Sequence, residues 1–147
     1  MDTTGPVDHP GLAGLLRLAG DPAAIVAAFE SVPTVLAYFE GPDMVIRAAN
    51  AACRALYRRD DVVGLPVGEA VPAAVGQELI ETLQRVLAEQ REFVGIEWRM
   101  VLDRSDPNSE VFLNFTVIPV LHPDARSRGV VAHAVDVTRE ILARRAT

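Results

Sequence analysis

The residue pattern predicts an α+β domain: five antiparallel strands, with a helical block inserted between the second and third. Three observations carry this. Helical spacing opens the chain, and a shorter helical run closes it. Five β-type runs occur, two before and three after a long amphipathic stretch from Gln77 to Gln90. No strand–helix–strand unit repeats, which argues against a parallel sheet. The 147 residues suit one domain, and 50% are apolar, enough for a core without metal or disulfides.

The first ten residues are polar and broken by Pro and Gly, as in a loose tail. Leu12, Leu15, Leu16 and Ala19 then recur at helical spacing and end at Gly20. Asp21-Pro22 restarts a helix, with Asp as N-cap and Pro in the first turn. Ile25, Val26 and Phe29 lie on it, and Pro33 closes it. Thr34 to Glu40 is rich in β-formers, Gly41-Pro42-Asp43 is a turn, and Met44 to Ala48 resumes as a strand. The two read as a hairpin.

Asn50 precedes a helix from Ala51 to about Tyr57. Its side chain suits an N-cap, worth about 1 kcal/mol. Arg58 to Pro72 carries two Gly and two Pro, and reads as short turns and loop. Gln77 to Gln90 places Leu79, Ile80, Leu83, Val86 and Leu87 on one helical face. Glu78 and Glu81 beside Arg85 form its solvated side.

Gly95 to Leu102 alternates, with Ile96, Trp98, Met100 and Leu102 on one face and Glu97 and Arg99 on the other. Asp103 to Ser109 is a turn cluster. Val111 to Leu121 alternates Leu113, Phe115 and Val117 against Asn114 and its neighbours, so Asn114 falls on the other face. A loop from His122 to Gly129 precedes the last run, Val130 to Val137, and a final helix begins near Arg139.

Four segments, in this order, resemble those of a PAS domain over about Phe29 to Glu140. They are Phe29-Glu30-Ser31-Val32-Pro33, then Val45 to Ala52 with its strand-then-Asn-x-Ala start. Val63-Gly64-Leu65-Pro66 follows, and then Gly129 to Val135 running into Asp136-Val137-Thr138, similar to the family's Asp-x-Thr exit motif. The resemblance implies a PAS fold, a sheet curled around a pocket and closed by the inserted helices. It divides the chain into a tail with helices over 1–28 that pairs two copies, a PAS domain over 29–140, and the start of an exit helix over 141–147. It also implies a sensory module of bacterial signal transduction, a homodimer, and an output kinase or phosphatase in cis or in trans.

The alternation points Ile96, Trp98, Met100, Leu113, Phe115 and Val117 inward, joined by Ala132 and Ala134. Two readings stay open: these residues fill a core, or the two alanines leave room for a small apolar or amphipathic ligand. Trp98 is the best anchor, because a buried indole N–H needs a partner. Tyr38 and Tyr57 each carry a hydroxyl that could serve the pocket, but both are expected on the surface or rim. Asp136 suits an ion pair with an arginine, and Thr138 a cap on the last helix; together they are the signal-exit motif that the resemblance implies.

No haem or flavin attachment motif is evident, and the cofactor is unknown. Cys53, the only cysteine, lies on the helix after Asn50, outside any Gly-x-Asn-Cys-Arg-type segment, and reads as a small core residue. His9 is in the tail, His122 beside a loop, and His133 mid-strand as a satisfied wall histidine; none lies on the long helix. No metal-ligand spacing and no catalytic set occur.

The net charge of −6 and the lack of a basic stripe argue against a nucleic-acid partner, while the use of arginine for every basic residue points to G+C-rich coding. The longest apolar run, Ala23 to Phe29, is too short to span a membrane, and the N-terminus lacks a secretory signal pattern. A cytoplasmic location is the expectation. A ligand-free dimerisation scaffold of the same fold is the alternative, and a small cone-shaped α+β enzyme is a third reading that strand order separates.

Overall fold

The computed structural model describes residues 11–71, 73–102, 105–121, 124 and 128–146. The tail 1–10 with His9, and His122 in its loop, lie outside the described residues.

Two helices come first, α1 (Gly11–Ala19) and α2 (Pro22–Ser31). Asp21 caps α2 by accepting from the Ala23 N–H, as its place before Pro22 suggests. Strands β1 (Val35–Glu40) and β2 (Val45–Ala49) form the hairpin. Three helices follow before the next strand: α3 (Ala51–Tyr57), α4 (Val67–Ala70) and α5 (Ala73–Glu89). Then come β3 (Phe93–Val101), β4 (Glu110–Leu121), β5 (Arg128–Asp136) and α6 (Thr138–Arg145).

All four strand pairings are antiparallel, and the order across the sheet is β2-β1-β5-β4-β3. The last strand therefore sits between the first and the fourth. Gly129 permits this. A Cβ there would lie 2.2 Å from the Phe39 carbonyl oxygen and 2.8 Å from the Tyr38 hydroxyl, so no larger residue fits.

The core lies between the inner face of the sheet and α3, α4 and α5. Phe39, Met44, Ile46, Cys53, Val62, Val67, Leu83 and Val117 are almost wholly buried there. Each large apolar side chain so buried contributes roughly 1.5–3 kcal/mol. Leu83 and Val86 face inward, with Leu79 and Leu87 packed against the cluster, as the helical periodicity requires. Cys53 is one of the core residues, as its size suggests.

Asn50 does more than cap α3. Its Oδ1 accepts from the Cys53 N–H at 3.0 Å and from the Leu36 N–H at 3.0 Å. Its Nδ2 donates to the Val32 carbonyl at 3.2 Å and the Thr34 carbonyl at 2.8 Å. One buried amide thus ties the segment before β1 to the start of α3. Arg54, one turn on, clamps α2. It donates to both oxygens of Glu30, at 2.9 and 2.5 Å, and to the Ala49 carbonyl at 2.7 Å. The guanidinium holds the Glu30 carboxyl below the usual carboxylate range.

Candidate functional site

The inner face of the sheet and the helices enclose a cavity of about 60 Å³. Trp98, Met100, Leu113, Phe115, Val117, Ala132 and Ala134 all line it. So do residues that strand alternation does not reach: Val35 from β1, Leu56 and Tyr57 from α3, Leu79 and Thr82 from α5. Leu79 was legible as part of the apolar face of α5. Its facing of this particular space was not, because sequence spacing does not say which strand a helix covers.

Ile96 does not join the cavity. It is 68% exposed, against the expectation from alternation. The reason is a bulge in β3. Gly95 pairs with Phe115 and Trp98 with Leu113, so Ile96 and Glu97 share the one place opposite Asn114. One extra residue reverses the phase of everything before it. Glu97 takes φ 50°, uncommon for a residue with a side chain, and its N–H donates to Asn114 Oδ1 at 2.8 Å. Asn114 lies on the outer face as expected, and it holds the bulge.

Three aromatic rings gather at the inner side of that bulge. Trp98 meets Phe115 edge to face at 5.4 Å, and Phe93 at 5.9 Å, while Phe93 stacks on Phe115 at 5.7 Å. Such pairs contribute about 0.5–1.5 kcal/mol beyond area burial. Gly95 leaves room for this cluster: a Cβ there would sit 2.3 Å from the Phe115 ring.

The cavity lining carries three polar side chains, Tyr57, Thr82 and Trp98. Thr82 donates its hydroxyl to the Glu78 carbonyl one turn back. Tyr57, expected at the rim or surface, lines the cavity instead and lies against Cys53. Burial pushes the Cys53 thiol up to about 11, opposed by its bond to Tyr57 and the charge of Arg54. Burial pushes the Tyr57 phenol up as well, with Cys53 adding to the effect. Tyr38 points elsewhere and donates to Glu40 at 2.8 Å. His133 is exposed rather than set in the cavity wall, with its Nε2 hydrogen-bonded to Thr34 Oγ1 at 2.8 Å. Among the described residues, no three His, Cys, Asp or Glu gather to hold a metal ion.

The exit from the sheet differs from the expected cap. The final helix α6 starts at Thr138, so Thr138 lies within its first turn. Its hydroxyl accepts from the Phe112 N–H at 2.8 Å and donates to Asp136 Oδ1 at 2.5 Å. Asp136 takes no arginine among the described residues. Its Oδ1 also accepts the Thr138 N–H at 2.9 Å, so Asp136 does the capping. The Val137 N–H donates to the Phe112 carbonyl at 2.8 Å. Phe112 therefore anchors the exit through both of its backbone polar groups, and Arg145 lies over its ring at 4.9 Å. Arg144 reaches back to Glu97 at 2.8 Å.

A family profile described as the PAS fold matches residues 29–141. The chain belongs to the PAS fold family. Solved structures agree on the fold. A PAS domain from Colwellia psychrerythraea is similar at a TM-score of 0.59 and 15% identity, covering 80% of this chain and 97% of that one. The PAS domain of nitrogen regulation protein NR(II) from Vibrio parahaemolyticus gives 0.54 and 15%, covering 75% and 94%. The Vibrio cholerae VqmA dimer, a LuxR-type receptor solved in the absence of its target DNA, gives 0.65 and 16%, covering 82% of this chain and 53% of that one. At these identities the likeness is one of fold. The PAS assignment separates the chain from a cone-shaped enzyme fold.

Proposed function

We propose that this PAS domain is a non-enzymatic sensory module: a small apolar or amphipathic ligand, or a protein partner, changes how the sheet holds α6 and so biases a linked output unit. The observation that carries the reading is the β3 bulge. Its Trp98 lines the cavity and its adjacent Glu97 holds the exit helix through Arg144. The two residues are neighbours in the chain. Useful coupling needs only about 1–3 kcal/mol of differential binding.

The output unit is a kinase or phosphatase in cis or in trans, the setting is the cytoplasm, and the module works as a homodimer. Helix α2 supports pairing: none of its residues is buried, although Ile25 and Val26 lie on it. No single helix among the described residues is long and apolar enough to cross a membrane; α1 and α2 reach that length together but bend by 73°. The net charge of −6 favours a protein output over nucleic acid.

A ligand-free scaffold is the second reading, and the cavity volume favours it. An apolar cavity that binds benzene measures about 150 Å³, more than twice the volume here. Sensing then requires the cavity to widen. Native mass spectrometry of the purified chain, paired with Asp136→Ala and Thr138→Ala in the protein with its output unit, tests both. A retained small molecule and altered output in folded variants support sensing. An empty dimer with unchanged output supports the scaffold.

A further inference from the structure

The cavity has an outer neighbour. A more open groove of about 530 Å³ runs between α3, Leu102 and the ends of β1, β4 and β5. Val35, Leu56, Leu102 and Ala134 line both spaces. The partition is therefore one side chain thick. Ala134 gives it only a methyl group, and Leu56 stands in the last turn of α3.

The two spaces differ in charge. The inner one is apolar, while Arg58 and Asp136 both line the groove. Asp136 is committed to Thr138 through two hydrogen bonds. Arg58 is not so held. Its ion pair among the described residues is with Asp106 at 3.8 Å, beyond hydrogen-bond reach, and the two side chains are 56% and 38% exposed. Such a pair is easily exchanged for a better-placed carboxylate. Arg58 also ends α3 in the left-handed region, at φ 60°, which sets the root of its side chain at the groove.

We propose that groove and cavity are two halves of one site for an amphipathic carboxylate with a slim aliphatic tail. The proposal rests on the sensory reading above and names its ligand class. The tail passes Leu56 into the cavity, and the carboxylate takes the planar fork of Arg58. An acyl chain fits a small cavity better than a ring, because it needs less width and widens the space only as far as Leu56 moves.

Trp98 is the only tryptophan, so its fluorescence reports the cavity directly. The test titrates the full chain with octanoate, 1-octanol and octylammonium, all below micelle formation. Octanoate should perturb Trp98 saturably and bind at least about tenfold more tightly than octanol, since a charge-assisted bond adds to the same tail. Arg58→Gln, a surface change that leaves the fold intact, should bring octanoate to within about twofold of octanol. Leu56→Trp should block all three probes. Equal binding of octanoate and octanol, tighter octylammonium, or an indifferent Arg58→Gln overturns the head-group assignment and leaves the sensory reading standing. No response to any probe overturns the two-part site, and leaves a protein partner as the input of the sensory reading.

Discussion

The Glu97 carboxylate accepts a hydrogen bond from Arg144 at 2.8 Å, joining the β3 bulge to the last turn of α6. Both side chains are substantially exposed, at 41% and 64%. A pair in that setting is worth less than about 1 kcal/mol. It positions α6 without holding the fold together. Glu97→Gln and Arg144→Gln should therefore change unfolding free energy by less than about 1 kcal/mol. Amide hydrogen exchange in α6 should still speed up in both, and the double variant should add little to either single one. Unchanged exchange would remove the contact from any coupling role.

The bulge itself rests on Gly95 and Asn114. A methyl group at 95 would run into the Phe115 ring, which lines the cavity. Gly95→Ala should cost about 1–3 kcal/mol in urea unfolding and shift Trp98 emission, as the ring gives way. Asn114→Ala should cost about 0.5–1 kcal/mol, because the exposed Glu97 N–H exchanges its side-chain acceptor for water.

Asn50 offers a sharper test, since two roles predict opposite results. As a plain N-cap, aspartate should serve as well as asparagine. The structure gives Asn50 two donor bonds besides two acceptor bonds, all from a buried residue. Aspartate keeps the acceptors, loses both donors, and aims a charge at two carbonyl oxygens. Asn50→Asp should therefore be destabilised by about 2 kcal/mol or more, comparable to Asn50→Ala. Thermal melts of the two variants decide it.

The Cys53 thiol makes stability depend on pH in the alkaline range. Burial raises its pKa from 9.0 to about 11. The unfolded chain gives up this proton first, so unfolding is favoured as pH rises. The stabilisation is complete below pH 9 and is lost progressively towards pH 11, by about 3 kcal/mol at full titration. Cys53→Ala should flatten that slope in denaturant melts taken from pH 8 to 11. Native protein should also resist iodoacetamide until it unfolds.

Most of the fold was legible because its signals are local. Asp21-Pro22, Asn50 and the five-fold set of apolar residues along α5 mark their own elements. Alternation also placed Leu113, Phe115 and Val117 on one face of β4, where they all line the cavity. Ile96 failed because a period of two assumes that no residue is inserted. Gly95 and the polar Asn114 were the available signals, but neither says that two residues will face one. Thr138 failed for a similar reason. Helix α6 begins one residue earlier than Arg139, which moves the capping role back to Asp136. Tyr57, Leu56 and Arg58 belong to the site only because α3 packs over β1, a contact no spacing announces.

The position of β5 has a consequence for how the chain is made. During synthesis β1 emerges early, with β2 as its only partner, and its other edge stays open until β5 arrives. The Thr34–His133 bond alone spans 99 residues. At 5–20 residues per second, as is typical of ribosomes, that wait lasts roughly 5–20 s. The inner edge of β4 is bare too, for the short interval between its own synthesis and that of β5, and bare edges recruit other chains. Nascent chains stalled before Arg128 should therefore be the aggregation-prone species and the natural clients of a chaperone, while release a few residues after Asp136 lets a single strand close both edges at once.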